Sequence, residues 1–129
     1  MRKIWFALVG AGALVGVACS SEPTASGICG GNFPGGVIVI TASDNHTFSP
    51  QFANASVGQS ICFQNTGTQL HQVQGDSVNS TDSAWAHSAP HPLPPGLPVV
   101  ISMAVGDYYY HCTYHGGNQS GMWGKISVR

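Results

Sequence analysis

The sequence predicts an all-β domain, an antiparallel Greek-key β-sandwich or barrel. Short runs rich in Val, Ile and Tyr are separated by Gly, Pro, Asn and Asp, a pattern typical of strands joined by turns. No stretch after residue 19 repeats its apolar residues with the 3.6-residue period of an amphipathic helix. A length of 129 residues suits one domain and not two.

Residues 1–18 are predicted to be a secretory signal peptide, because a basic start precedes an apolar run that ends in small residues. The ending GVACS resembles the lipobox of bacterial lipoproteins, in which the cysteine, here Cys19, becomes the lipidated first residue. Gly16 stands where such boxes usually carry Leu, and ordinary cleavage near Ala18 is the alternative. We expect export to the periplasm or cell envelope, with membrane contact only through a lipid on Cys19.

The organisation of the mature chain follows from its composition. Residues 19–36 are small, polar and turn-prone, and are predicted to be a flexible tether before a domain of residues 37–129. Residues 75–96 are polar and rich in proline, which predicts a long loop that could hold a short helical turn. The predicted strands are 37–41, 56–65, 70–74, 97–103, 107–112 and 124–129.

The charge of the mature chain excludes one class of partner. After Cys19 the only basic residues are Lys125 and Arg129, against five acidic residues. A mildly acidic domain without charge runs has no electrostatic basis for binding nucleic acid. No second apolar segment approaches the roughly 20 residues that a membrane-spanning helix needs.

Three cysteines remain after Cys19, namely Cys29, Cys62 and Cys112. An oxidising compartment permits a disulfide, and the odd count leaves one thiol over. We favour a Cys29–Cys62 bond, because Cys112 lies among other metal-binding residue types. Such a bond would stabilise the domain by about 3–4 kcal/mol. The alternative is that Cys62 is a buried strand thiol.

The run YYYHCTYHGGNQSGMWGKISV, residues 108–128, collects metal-ligating side chains. A predicted strand ends at Cys112, and a turn of the next three residues can bring His115 to the same point. The glycines that follow allow the backbone to curve back towards Met122. A thiolate, an imidazole and a weak thioether would form an electron-transfer copper centre if one more imidazole joined them. His71, after the turn NTGTQ, is the candidate.

Five segments together resemble one family. FSP (48–50), SVGQSICFQNTGTQLHQV (56–73), LPPG (93–96), GDYYYHCTYHGG (106–117) and GMWGKISV (121–128) resemble the cupredoxins, small blue copper proteins such as plastocyanin, halocyanin and pseudoazurin. The resemblance extends over residues 37–129. The order of the motifs makes it specific, with a His after a strand ending in Asn, then C-x-x-H, then G-M-x-G-K.

The resemblance implies a single type 1 copper ion that alternates between Cu(II) and Cu(I). His71, Cys112 and His115 would be its strong ligands, and Met122 its weak axial ligand. The protein would carry one electron at a time and would not be an enzyme. It would dock transiently, as a monomer, with redox proteins such as a cytochrome, an oxidase or a reductase.

The chain departs from plastocyanin-like sequences in the length of one loop. Six residues, GGNQSG, separate His115 from Met122, where those sequences have four. Gln119 is therefore an alternative axial ligand. We favour Met122, because GMWGK keeps its register with the last strand and axial sites favour Met.

The other histidines have weaker assignments. His111 directly precedes Cys112, the position of a second-copper ligand in copper nitrite reductases, and the simpler interpretation is a surface imidazole. His87 and His91 could hold a metal loosely, although we expect flexible loop histidines. His46, in the turn DNHTFSP, has no assigned role.

Aromatic and apolar residues near the ligands are assigned from strand alternation. Tyr108 and Tyr110 share the inward face with Cys112 and are expected in the core. Trp123 and residues 93–95 could form an apolar collar around the edge of His115, which would suit brief docking of a redox partner. Alternatively, Trp123 is a core residue.

Two other functions fit parts of the sequence. A copper oxidoreductase would need an open coordination position, or a second copper at His111. A copper-carrying module would usually show clusters of Met or His, and the chain has three Met, one of them the initiator.

Overall fold

The computed structural model describes residues 29–82, 85 and 89–129. The predicted signal peptide and Cys19 lie outside these residues. Five residues of the long loop, His87 among them, lie outside as well, so the helical turn considered there stays a prediction. In the part of the chain that is described, no helix has the length and apolar character needed to cross a membrane.

The described residues form a sandwich of two sheets, which confirms the predicted all-β sandwich. One sheet has the strand order β2-β1-β4-β7 and the other has the order β3-β9-β8-β5-β6. The strands are β1 Val37–Ser43, β2 Thr47–Ser49, β3 Phe52–Ala55, β4 Ser60–Asn65, β5 His71–Gly75, β6 His91–Leu93, β7 Val99–Ser102, β8 Gly106–Gly117 and β9 Ser120–Val128.

Both sheets are mixed, whereas the sequence pattern predicted antiparallel pairing throughout. β1 pairs parallel with β4, and β3 pairs parallel with β9. Between β1 and β4 the chain passes into the second sheet as β3 and then returns, so β4 can run in the direction of β1. A parallel pair needs such a crossover connection, which alternation within single strands does not reveal.

Three short strands, β2, β3 and β6, were not predicted. Each has three or four residues, too few to show a clear alternation of apolar and polar side chains. β6 lies inside the proline-rich segment that was expected to be a loop, and it pairs with β5 at the edge of a sheet. An edge strand tolerates its Pro92, because one side of the strand needs no hydrogen-bond donor.

The core between the two sheets includes the predicted ligand Cys112. Along β8, Tyr108, Tyr110 and Cys112 are buried, as predicted, and the residues between them are only partly buried. Phe48 and Phe63 pack edge-on against the Tyr110 ring at centroid distances of 4.9 and 5.1 Å. The thiol of Cys112 therefore lies at the end of a packed aromatic core.

The N-terminal part of the domain is covalently attached to the sandwich. Cys29 and Cys62 form a disulfide, so Cys62 is not a free thiol. The backbone N–H of Ser60 also donates a hydrogen bond to the carbonyl oxygen of Gly36, at 3.0 Å. From Cys29 onward, the segment assigned to a tether thus lies against β4.

Candidate metal centre

The structure brings three of the sequence-predicted ligands together. The Sγ atom of Cys112 and ring nitrogens of His71 and His115 all lie within 4.8 Å of one another. Both rings turn Nδ1 towards the sulfur, at 3.8 Å for His71 and 3.5 Å for His115. Bonds of about 2.0 Å to nitrogen and about 2.3 Å to sulfur, at a tetrahedral angle, separate the two donor atoms by about 3.5 Å. The arrangement therefore fits a single metal ion.

His71 is buried at the start of β5, and the turn before it is held by side chains. Nδ2 of Asn65 donates to the carbonyl oxygens of Gln69, at 2.6 Å, and of Leu93, at 3.0 Å. The carboxylate of Asp44 accepts a hydrogen bond from the backbone N–H of Gln69, at 3.0 Å. These hydrogen bonds hold the backbone that carries His71.

The thiol of Cys112 is free, fully buried and hydrogen-bonded. The backbone N–H of Gln72 donates a hydrogen bond to Sγ at 3.4 Å. The hydroxyl of Thr113 donates to Oε1 of Gln72, which links β5 and β8 beside the sulfur. Gln72, which follows the predicted ligand His71, thus also holds the sulfur of Cys112.

His115 lies on a β-hairpin, where the sequence predicted a loop. β8 continues beyond Cys112 with a register irregularity between His111 and Gly116, and then pairs with the start of β9. A Cβ atom on Gly116 would lie 2.6 Å from the carbonyl oxygen of Ser120, and Gly121 has a φ of 66°. Side-chain-bearing residues rarely fit either position, so these glycines permit the hairpin that carries His115.

The two candidates for the axial ligand occupy different environments. Met122 is 1% exposed and belongs to the same buried cluster as Cys112. Gln119 lies at the hairpin tip, with a φ of 53° and a partly exposed side chain. The burial of Met122 on the inward face of β9 favours it as the axial donor.

Both ring environments favour the neutral imidazole that a metal needs. Burial lowers the pKa of His71 below its usual value, and the nearby His115 lowers it further. Loss of solvation lowers the pKa of His115, with a smaller contribution from His46. A lowered pKa extends the neutral form to lower pH, where the ring nitrogen keeps the lone pair for coordination.

His46 contacts the centre, although sequence reasoning gave it no role. Its ring stacks on that of His115, with the centroids 4.0 Å apart and the planes 13° apart. Its Nε2 lies 3.1 Å from Oε1 of Gln69. No local pattern indicates this contact, because the two histidines belong to distant parts of the chain.

His111 is not the surface imidazole that we expected. Its Nδ1 lies 2.5 Å from Oδ1 of Asp76, and the two side chains are 15% and 0% exposed. This contact occupies one of the two nitrogens that a second copper could use. Among the described residues, His71, Cys112 and His115 form the only group of three or more potential His, Cys, Asp or Glu ligands within reach of one ion.

Two other sequence expectations need correction. His91 is not a loop residue, because it lies in β6 opposite Val73 and its ring stacks with Trp85. The predicted apolar collar around the edge of His115 is also wrong for Leu93 and Trp123. Leu93 is buried in the core, and Trp123 packs on the outer face of its sheet against Tyr109 and Phe52.

Exposed apolar side chains do flank the ligands, at positions that the sequence analysis missed. Leu70 directly precedes His71 and is 60% exposed, and Tyr114 directly precedes His115 and is 56% exposed. Leu97 is also exposed and lies in the turn after β6. The last residue of β6, Leu93, pairs with His71. Leu70, Leu97 and Tyr114 are called the apolar rim below.

Solved structures similar to this chain are cupredoxins. A purple cupredoxin from Nitrosopumilus maritimus is 21% identical with a TM-score of 0.57, over 70% of this chain and 98% of that chain. A reduced-state amicyanin variant is 20% identical with a TM-score of 0.55, over 72% and 82%. A variant fern plastocyanin is 18% identical with a TM-score of 0.52, over 71% and 100%.

These similarities show that the chain has the cupredoxin fold. No family model matches the sequence. No curated protein matches it either.

Proposed function

We propose that this protein is a blue type 1 copper protein that carries single electrons between redox partners in the cell envelope. The observation that carries the proposal is the buried thiol of Cys112, which faces Nδ1 of His71 and His115 inside a cupredoxin fold. A thiolate, two imidazoles and a thioether suit copper, because soft sulfur donors favour Cu(I) and imidazoles accept Cu(II).

Copper, when bound, supplies the one-electron chemistry by alternating between Cu(II) and Cu(I). The protein residues keep the ligands in one arrangement. Asn65 and Asp44 hold the turn before His71, and the N–H of Gln72 holds the sulfur of Cys112. Because these hydrogen bonds hold the ligands in place, a change of oxidation state would require little movement of the ligands.

His115 offers the route between the centre and solvent. His71 and Cys112 are fully buried, whereas His115 is partly exposed. The apolar rim lies beside these ligands and suits a small, short-lived interface with a redox protein. We therefore propose that a cytochrome, an oxidase or a reductase docks here, and that the protein acts as a monomer without transforming a substrate.

The location of the protein is also a proposal. The basic and apolar start of the sequence supports export, and the GVACS ending supports a lipid on Cys19. The disulfide between Cys29 and Cys62 also supports export, because disulfides form and persist in oxidising compartments.

Visible absorption of the copper-loaded protein tests the proposal. As its resemblance to the cupredoxins implies, the Cu(II) protein should absorb visible light strongly through its thiolate–copper bond and should contain about one copper per chain. The Cys112→Ser variant should lose this absorption and keep the fold, because Ser is similar in size. A colourless Cu(II)-loaded wild type would contradict the proposal, and two copper ions per chain would favour a copper oxidoreductase instead.

A further inference from the structure

The turn between β1 and β2 places a histidine in an unusual backbone conformation. The backbone N–H of His46 donates to the carbonyl oxygen of Ser43 at 3.0 Å, and Ser43 pairs with Thr47 across the hairpin. His46 is the last residue of this three-residue turn and has a φ of 56°. Hairpin turns of this kind usually carry Gly at the left-handed position. A histidine at this position indicates that its ring makes a contact that glycine could not make.

The ring of His46 is held on its face and at its edge. Its face lies 4.0 Å from the centroid of the His115 ring, nearly parallel to it. Its Nε2–H donates to Oε1 of Gln69 at 3.1 Å, in the tautomer that this contact requires. The backbone N–H of Gln69 is in turn bound by Asp44, from the same turn as His46. This one turn therefore contacts both segments that carry histidine ligands.

We propose that His46 is a positioning residue for the metal centre, and that it keeps the His115 ring in the orientation that binds copper. The ring of His115 has His46 stacked on one face and meets the ring of His71 edge-on at 5.0 Å. Rotation of the His115 ring away from the centre would break the stack. The proposal rests on the proposed copper function, and its structural part holds for the metal-free protein too.

Two substitutions of His46 distinguish the effect of its ring from the effect of its backbone conformation. His46→Gly removes the ring and suits the left-handed backbone, so the metal-free fold should keep its stability. His46→Phe keeps a flat ring that can stack. Asn45→Gly, in the same exposed turn, is the matched control. Transfer of Cu(I) from the reduced protein to a coloured Cu(I) chelator measures how firmly the centre is held.

His46→Gly should release Cu(I) roughly two- to tenfold faster than wild type, the range that an aromatic pair contributes. His46→Phe and Asn45→Gly should stay close to wild type. The copper hyperfine splitting in the electron paramagnetic resonance spectrum should change in His46→Gly only. Equal release from His46→Gly and wild type would overturn the proposal, as would a His46→Phe variant that behaves like His46→Gly.

A second measurement uses the copper-free protein and separates this proposal from the function. Nuclear magnetic resonance should find one His115 side-chain rotamer in wild type and in His46→Phe. In His46→Gly, other rotamers should be roughly two- to tenfold more populated. If wild type shows no blue copper band, the proposed function fails, and these rotamers still decide the role of His46. Unchanged rotamers in His46→Gly would refute it.

Discussion

Replacement of His111 by alanine should strongly destabilise the copper-free protein. His111 binds Oδ1 of Asp76, whose side chain is fully buried, and Oδ2 of Asp76 has no hydrogen-bond partner among the residues that the structure describes. Without the His111 imidazole, the buried carboxylate of Asp76 would lose this side-chain partner. Removal of one member of a buried pair typically costs about 3–5 kcal/mol. That is a large share of the roughly 5–15 kcal/mol by which domains are stable.

Unfolding in urea, followed by tryptophan fluorescence, measures this loss. A double-mutant cycle with Asp76→Asn gives the control, because an amide carries no charge that needs a partner. In the Asp76→Asn background, His111→Ala should cost no more than about 1.5 kcal/mol, the usual net contribution of one hydrogen bond. The pair should therefore show a coupling energy of about 1.5 kcal/mol or more.

The same variants distinguish a structural pair from a second metal site. If the pair is structural, His111→Ala lowers the stability of the metal-free protein and leaves the copper content per chain unchanged. A loss below about 1 kcal/mol, equal in both backgrounds, would refute the reasoning from burial. A fall from two copper ions to one, with unchanged metal-free stability, would restore His111 as a candidate ligand.

Two further predictions concern the axial ligand and the N-terminus. Met122→Leu should keep the copper and the blue colour and raise the reduction potential, because the thioether is a weak donor that helps stabilise Cu(II). Met122→Gln should lower the potential and Gln119→Ala should hardly change it, so voltammetry that finds a large shift for Gln119→Ala alone would reverse the assignment. Cys19→Ala should release the protein from membranes, because about 0.8 kcal/mol per buried CH₂ of the acyl chains is lost. Mass spectrometry that finds an unmodified N-terminus in the wild type would contradict this expectation.

Local sequence determined the longer strands and the short spacing between Cys112 and His115. β1, β4 and β8 alternate or are rich in β-branched and aromatic residues, and their side chains must point to opposite faces in turn. The spacing of Cys112 and His115 is short enough for one turn to bring both residues together. Such features depend on backbone geometry within a few residues, so they are visible in the chain before it folds.

Tertiary structure alone decided the contacts around the centre. His46 reaches His115, and Asp76 reaches His111, because two hairpins and two strands pack side by side. The parallel pairs of β1 with β4 and of β3 with β9 arise in the same way, from a crossover between sheets. Each of these contacts joins residues far apart in the chain. Their positions depend on how whole elements pack, and no pattern within a single element records that packing.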